Sequence, residues 1–424
     1  MQSRLERAVD SAALAGAGAL VDGSDAASDM AVEYLVRNPL DSSVVGDNGE
    51  DIAALKAQFL AQYSADELEI EPVLWDSSTG SYATGAELPN AVRVEMEYRD
   101  LPLFFGRVLG KDVFTVHAEA IATYQPRDIV LVLDLSGSMN DDSELKSIYR
   151  LSQAAIEENL FQIWQELGSP TYGTMGFEPV NVSSSDTNEI KQALGLDNVP
   201  YPYPSGSWND FISYVKSDSD IRNAGYKKKY GMLTLINYWL ERKPRASQTP
   251  DLWMASAQPV TAVKDAVDVF IEFVSIVDTD DRIALAVYDS ANGEGQLEIG
   301  LTSDFGLVSD TTRHRQAGHY HNMTNIAAGM EVARHELEQN ARAGAFKMMV
   351  LLTDGNANWY QGGYNTTAAR QAVLDEASQA EKSGIPVLTI SLGAGADTGL
   401  MQDVADTTDG IHFNVPGGQT VEQY

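Results

Sequence analysis

The sequence predicts an α/β protein built on a doubly wound, mostly parallel sheet flanked by helices. Two continuous apolar runs, "DIVLVLD" (128–134) and "FKMMVLLTDG" (346–355), are typical of parallel strands covered on both faces. Beyond residue 258, similar runs alternate with amphipathic segments, which indicates repeated strand–helix units. A smaller N-terminal α+β domain and a large helical insertion complete the predicted architecture.

The N-terminal domain is expected over residues 1–125. Alanine-rich and amphipathic patterns predict helices, and alternating apolar and polar residues then predict half-buried strands. The expected helices cover 1–21, 23–38 and 51–67, and the expected strands cover 91–99 and 112–125. The small-residue stripe of the first helix consists of Leu5, Val9, Ala12, Ala13 and Gly16.

The second domain is expected over 126–424, with its elements in alternating order. Predicted strands follow at 281–289, 295–304 (an edge strand), 346–355, 385–393 and 411–415. Predicted helices lie at 262–277, 324–340, 366–384 and 400–408. Residues 140–257 separate the first strand from its crossover helix, far more than a usual connection. Their helical and aromatic content predicts an insertion subdomain that rests on the sheet.

Composition excludes several classes of function. The chain has 29 basic and 61 acidic residues and a net charge of −32, so its surface repels nucleic acid and anionic headgroups. The absence of cysteine excludes thiol catalysis, disulfides and thiolate metal sites. No segment of the sequence is apolar over the length that a membrane span requires.

Oxygen-bearing side chains follow the predicted strands where the sheet should present its carboxyl edge. They are Asp134, Ser136, Ser138, Thr324 and Asp354. Ligands of open α/β sheets bind at this edge, and carboxylate and hydroxyl oxygens suit Mg²⁺, Mn²⁺ or Ca²⁺ rather than zinc or copper. An Asp-x-Ser-x-Ser stretch alone is also common as a helix cap or turn, so the metal prediction depends on all five positions together.

This five-residue pattern resembles the metal-ion-dependent adhesion site of von Willebrand factor A domains. The resemblance covers 128–140 and about 257–424, and it implies a divalent cation held by Asp134, Ser136, Ser138, Thr324 and Asp354. It further implies that the last ligand is a carboxylate of a partner protein. The long insertion departs from the family pattern.

The N-terminal part resembles the TadE/TadG-type proteins of Flp/Tad pilus assembly. The resemblance rests on "RLERAVDSAALAGAGAL" and "FFGRVLGKDVFTVHAEAIATYQPRD". It implies a pilin-like membrane helix upstream of Gln2, an anchor in the inner membrane, and a periplasmic or cell-surface body. In that setting, the stripe of the first helix would be exposed and would continue the membrane helix.

Two weaker patterns add alternatives. His314, His319 and His321 lie shortly before Thr324 and could form a second metal site, or could be solvated loop histidines. Tyr201, Tyr203, Trp208 and Phe211 could bind a partner, or could cover the insertion's own core. Neither a hydrolase elbow nor a phosphate-binding loop occurs.

The sequence therefore predicts a cation-dependent adhesion or binding module that is not an enzyme. A structural pilus-assembly component that docks on another pilus subunit is the alternative. A metal-dependent hydrolase is less favoured, because neutral hydroxyl ligands suit binding better than water activation.

Overall fold

The computed structural model describes residues 2–38, 52–64, 66–76, 79–85, 89–102, 113–124, 126–277, 280–289, 293–342, 344–354 and 356–417. The chain divides into two compact units, Met1–Pro126 and Arg127–Tyr424. Among the described residues, none of the helices combines the length and the apolar character that crossing a bilayer requires.

The first unit packs helices against one antiparallel sheet of strand order β2-β1-β3-β4. Its helices are α1 (Gln2–Gly18), α2 (Ser24–Arg37) and α3 (Ile52–Leu60). Its strands are β1 (Leu68–Asp76), β2 (Ser81–Thr84), β3 (Ala91–Pro102) and β4 (Val113–Thr123). The sequence analysis did not predict β1, which contains Pro72, or β2, a four-residue strand whose side chains are all exposed.

The stripe on α1 forms part of the core of this unit. Leu5 and Val9 are fully buried, and they share one apolar cluster with Val92 and Val94 of β3. The expectation that this stripe is exposed is therefore wrong. Burying it against the sheet removes apolar surface from water, which is the main force that holds α1 in place.

The second unit contains a six-stranded sheet of order β14-β13-β10-β5-β8-β9, in which only the edge strand β9 is antiparallel to its neighbour. These strands are β5 (Arg127–Asp134), β8 (Arg282–Tyr288), β9 (Gly295–Thr302), β10 (Phe346–Thr353), β13 (Val387–Leu392) and β14 (His412–Val415). Short two-residue strands are β6 (Val180–Asn181), β7 (Lys229–Tyr230), β11 (Trp359–Tyr360) and β12 (Gly363–Tyr364). The predicted fold class is confirmed.

Helices cover both faces of this sheet. They are α9 (Val260–Val277), α10 (Phe305–Arg313), α11 (Ile326–Asn340), α12 (Thr366–Lys382) and α13 (Thr398–Thr407). Alternate residues of β5 enter different cores: Ile129 belongs to one apolar cluster and Val130 to the other. The sequence analysis missed α10, a short helix capped by Asp304, whose side chain accepts a 3.1 Å hydrogen bond from the Leu307 amide.

The insertion between β5 and α9 is largely helical. It contains α4 (Gln153–Glu166), α5 (Thr187–Ala193), α6 (Trp208–Ser217), α7 (Ser219–Asn223) and α8 (Met232–Arg242). Its core is continuous with that of the sheet, since Phe211 and Trp239 belong to the same buried cluster as Ile129 and Val263. The insertion therefore shares a buried core with the rest of the second unit.

Candidate metal centre

Two adjacent central strands bring the candidate carboxylates to one edge of the sheet. β5 and β10 pair in parallel, with Leu133 opposite Leu352. Asp134 therefore lies level with Thr353, and Asp354 comes one residue later. Because parallel strands end at the same edge, residues more than two hundred positions apart in sequence become neighbours.

Hydrogen bonds fix the orientation of the Asp134 carboxylate, which is fully buried. The Ser136 amide donates to Oδ1 at 2.8 Å, and the Thr353 hydroxyl donates to Oδ2 at 2.7 Å. The first contact is a local turn of the chain, and the second ties β10 to β5. Thr353 was not predicted as a site residue, although it directly precedes Asp354.

The two serines lie beside these carboxylates. The Oγ atoms of Ser136 and Ser138 are 3.0 Å apart, and a hydrogen bond between Ser138 and the Asp354 side chain favours the charged form of that carboxyl group. Ser136 is buried, whereas Ser138 is half-buried and lines an open cleft. The structure thus brings together four of the five predicted site residues in one hydrogen-bonded group.

The fifth residue, Thr324, is joined through Asn358 to the segment that follows β10. The Asn358 amide nitrogen Nδ2 donates to Thr324 Oγ1 at 3.2 Å, and its Oδ1 accepts from the Thr324 amide at 3.1 Å. Asn358 belongs to the same loop as Asp354. Asn322, two residues before Thr324, lies against Gly137: a Cβ atom at Gly137 would be 3.3 Å from Asn322 Cγ.

Electrostatics set this group apart from an ordinary structural cluster. Burial raises the pKa of Asp134, and burial together with the neighbouring Asp134 charge raises the pKa of Asp354 to about 7. Within the described part of the chain, neither carboxylate pairs with a lysine or an arginine. Buried carboxylates without a cationic partner are costly unless a metal ion compensates them.

The donor set fits a hard divalent cation. All five candidate side chains offer oxygen atoms, and two of them are buried carboxyl groups near enough for the charge of Asp134 to raise the pKa of Asp354. Mg²⁺, Mn²⁺ and Ca²⁺ prefer such donors and keep positions for water or an external ligand. The hydroxyls and carboxylates would hold the ion, and a bound ion would offer a Lewis-acidic position to a partner's carboxylate.

The third strand end adds an acidic residue that the sequence analysis did not single out. Asp289 follows β8 and is buried. Its Oδ2 accepts hydrogen bonds from the backbone amides of Tyr320 (2.8 Å) and His321 (3.1 Å), while burial raises its pKa to about 7. Asp289 thereby anchors the loop that leads into Thr324.

The histidines of this loop do not form a second metal site. His314 stacks on Trp253 with ring centroids 4.4 Å apart, and His321 Nε2 lies 2.8 Å from an Arg245 guanidinium nitrogen, which disfavours a cation. Among the described residues, the only acidic or histidine trio close enough to share an ion is Asp218, Asp220 and Glu241. Asp218 already pairs with Arg242 and caps α7, so that trio has a structural role.

The aromatic residues predicted as a partner surface lie in or against the core, and the structure corrects that prediction for Trp208 and Phe211. Phe211 is fully buried and Trp208 is 6% exposed, whereas Tyr201 and Tyr203 are half-buried. The rings of Trp208 and Tyr201 meet edge to face with centroids 5.2 Å apart, and Trp208 donates from Nε1 to the Val199 carbonyl at 2.7 Å. Tyr203 packs on Trp239 at 5.0 Å. Burial of these rings leaves little area for an external partner.

Comparison with known families assigns both parts of the chain. Residues 15–122 match the family described as "Putative Tad-like Flp pilus-assembly", and residues 253–423 match the von Willebrand factor type A domain. The chain therefore combines a Tad-like region with a von Willebrand factor A domain. The A-domain match begins at residue 253, near the end of the insertion, so it contains Thr324 and Asp354 but not Asp134, which reaches the site through β5.

Solved structures that align with the chain have low sequence identity to it. An aerotolerance-related membrane protein from Bacteroides fragilis is 12% identical, with a TM-score of 0.31 over 68% of this chain and 91% of that one. The conserved hypothetical protein BatB from Bacteroides thetaiotaomicron is 10% identical, with a TM-score of 0.31 over 69% and 91%. A point mutant of the PilB minor pilin from Streptococcus sanguinis is 10% identical, with a TM-score of 0.36 over 85% and 83%. No curated protein matches the chain.

Proposed function

We propose that this protein is a divalent-cation-dependent adhesion or binding module of a Tad-type pilus-assembly system. Asp134, Ser136, Ser138, Thr324 and Asp354 would hold Mg²⁺, Mn²⁺ or Ca²⁺, and a partner's aspartate or glutamate would complete the coordination. The observation that supports this most directly is the pair of buried carboxylates, Asp134 and Asp354, without a lysine or arginine partner in the described chain.

Binding fits this site better than hydrolysis. Three of the five donors are neutral hydroxyls, so a bound cation keeps positive character and attracts a carboxylate. Water activation instead needs a positioned general base within hydrogen-bond reach of the attacking water. The buried carboxylates nearest the site are proposed ligands themselves, and the two families are those of adhesion and assembly modules.

The Tad-like region suggests where the partner is found. We propose a periplasmic or cell-surface location with an inner-membrane anchor upstream of α1. The second candidate function is a structural one, in which the A domain docks on another pilus subunit. The Tad-like match favours that alternative. Both candidates use the same cation, and they differ in whether the partner is another subunit of the pilus.

Calorimetry on the EDTA-treated protein tests the cation site. One ion of Mg²⁺, Mn²⁺ or Ca²⁺ per chain should bind to the parent, and Asp134→Ala should abolish this binding because it removes half of the carboxylate charge. Asp310→Ala, at an exposed position of α10, is the matched control and should bind like the parent. Unchanged affinity in Asp134→Ala would overturn the assignment.

A further inference from the structure

A cleft of about 180 Å³ opens beside the candidate metal centre. Three segments form its wall: the beginning of the insertion, the loop after β10 and the loop after β13. Its lining includes Ser138, Asp141, Asp142, Arg150, Asp354 and Gly395. Since Ser138 and Asp354 belong to the proposed ligand set, a group bound in this cleft lies next to the cation.

Hydrogen bonds between the segments hold the cleft in shape. The Asn356 side chain donates to the Gly395 carbonyl at 2.9 Å, which joins the β10 and β13 loops. The Ala394 amide donates to the Asp142 carboxylate at 3.0 Å, which joins the β13 loop to the insertion. The cleft is therefore preformed, and a ligand does not have to order it.

Arg150 is the cation of this cleft with uncommitted donors. Its Nη2 donates to Ser147 Oγ at 3.0 Å, and its nearest carboxylate oxygen, on Asp141, is 4.0 Å away. Asp141 is already paired with Lys146 at 2.6 Å. The Arg150 side chain is 30% exposed, and no hydrogen bond from its Nε or Nη1 occurs within the described residues.

Gly395 makes room for this guanidinium group. A Cβ atom at position 395 would be 2.5 Å from Arg150 Nη1, too close for the present arrangement. The φ angle of Gly395 lies outside the left-handed region, so the backbone itself accepts alanine there. The absence of a side chain at 395 thus allows Arg150 to lie along the cleft wall.

We propose that Arg150 determines specificity by binding a second carboxylate of the partner segment whose first carboxylate completes the metal site. This inference rests on the proposed function, and it names the ligand class as an acidic peptide with two neighbouring carboxylates. Arginine is well suited to the task because its planar donors match a carboxylate in a two-point contact.

The net charge of the protein makes such a local contact necessary. A body with net charge −32 repels an acidic segment at long range. Only short-range attraction at the cation and at Arg150 can retain the ligand, so the partner's second carboxylate should contribute substantially. A charge-assisted contact of this kind corresponds to an affinity gain of about tenfold or more.

Two blocked peptides test the inference on the Mg²⁺-loaded full chain by NMR titration. One is acetyl-Glu-Gly-Gly-amide, with a single carboxylate, and the other is acetyl-Glu-Gly-Glu-amide, with two. The parent should bind the second about tenfold more tightly. Arg150→Gln, and Gly395→Ala through displacement of the guanidinium, should remove this preference while Mg²⁺ affinity and affinity for the first peptide stay unchanged.

Arg222→Gln, at an exposed position on α7, is the control and should keep the preference. Three outcomes would each overturn the inference. The first is equal binding of both peptides by the parent, and the second is a preference that persists in Arg150→Gln and Gly395→Ala. The third is no peptide binding at all to the Mg²⁺-loaded protein. In the first two cases the proposed function would stand, whereas the absence of all peptide binding would also contradict the proposed completion of the coordination by a partner's carboxylate. Failure of the parent to bind Mg²⁺, Mn²⁺ or Ca²⁺ would instead remove the proposed function, and the inference with it.

Discussion

The Thr353 hydroxyl donates a 2.7 Å hydrogen bond to Oδ2 of Asp134 across the junction of β10 and β5. Thr353 is buried and directly precedes Asp354, so this bond couples the positions of both candidate carboxylate ligands. It also supports the charged form of Asp134 in a site where burial opposes that form. Thr353 is therefore a positioning residue for the proposed cation site.

Thr353→Val should weaken cation binding by about tenfold to a hundredfold, the usual effect of losing a partner that orients a ligand. Calorimetric titration with Mg²⁺ measures this loss, and the unfolding free energy of the metal-free protein should fall by about 1–3 kcal/mol, because the buried Asp134 carboxyl group loses a hydrogen-bond partner. Thr312→Val is the matched control, because Thr312 is also buried but its hydroxyl has no hydrogen-bond partner in the described chain. Equal Mg²⁺ affinity in Thr353→Val and the parent would contradict the positioning role.

The raised pKa of Asp354 predicts how pH and metal binding are linked. Burial and the Asp134 charge raise this pKa to about 7 in the folded protein, whereas the ordinary value is 3.8. The metal-free folded state therefore holds more protons than the unfolded state between these values. Asp354 therefore contributes most to the stability of the metal-free protein below its ordinary pKa of 3.8. This contribution is lost as the pH rises through its folded-state pKa of about 7.

A bound cation must displace this proton, so the apparent metal affinity should rise by up to about tenfold per pH unit until roughly pH 7 and then level off. The difference in melting temperature with Mg²⁺ and with EDTA should grow over the same range. Asp289 and Glu144 also have raised pKa values, but their titration affects the melting temperature with Mg²⁺ and with EDTA alike. The difference between the two melting temperatures therefore reports on the metal site. A metal-induced shift that is constant from about pH 5 to about pH 8 would rule out displacement of this proton.

Phe211 should stabilise the second unit rather than bind a partner. Its side chain is fully buried among the insertion's aromatic residues, so Phe211→Ala should cost about 3–5 kcal/mol of unfolding free energy. Denaturant unfolding followed by tryptophan fluorescence measures this cost. Tyr149→Ala is the control, since that ring is 83% exposed and its removal should change stability by less than about 0.5 kcal/mol.

The same continuity of the core predicts that the insertion cannot be deleted without damage to the second unit. Removing residues 141–256 would expose apolar side chains of the buried cluster that the insertion shares with the main sheet. Such a deletion should therefore unfold the second unit or make it aggregate. Point substitutions at exposed positions, such as Arg150, are the informative route to the role of the insertion.

The sequence was sufficient to predict the fold class for a physical reason. Buried parallel strands are continuous apolar runs, and the segments between them alternate as amphipathic helices. The roles of Thr353, Asn358 and Arg150 depend instead on contacts between segments distant in sequence. The local periodicity of a sequence does not predict such contacts. The strands β1 and β2 were missed because β2 is short and exposed, and because β1 is defined by its pairing with β2 and β3.

The burial of Phe211 and Leu5 shows a second limit of sequence reasoning. An apolar or aromatic stripe indicates that a helix face is covered, but it does not indicate by what. For Leu5 the cover is the sheet of the first unit, and for Phe211 it is the core shared with the main sheet. Both were candidates for external contacts on sequence alone, because their packing partners are distant in sequence.

The packing of α1 against α2 and β3 gives the last prediction, which uses two glycines of the same helix. A Cβ atom at Gly16 would lie 3.0 Å from the Ala27 carbonyl oxygen and 3.1 Å from Val92 Cγ1, whereas a Cβ atom at Gly18 would meet nothing within 4 Å. Gly18 has helical backbone angles, φ −61° and ψ −30°. Gly18→Ala should therefore stabilise the first unit by up to about 1 kcal/mol through helix propensity. Gly16→Ala should lose that gain and destabilise the unit by about 1–3 kcal/mol, because the Ala27 backbone cannot move aside without opening the helix pair.

Hydrogen exchange of the α1 and β3 amides in the full chain measures both effects on the first unit. Equal protection in the two variants would show that α1 does not pack as closely on α2 and β3 as the structure indicates.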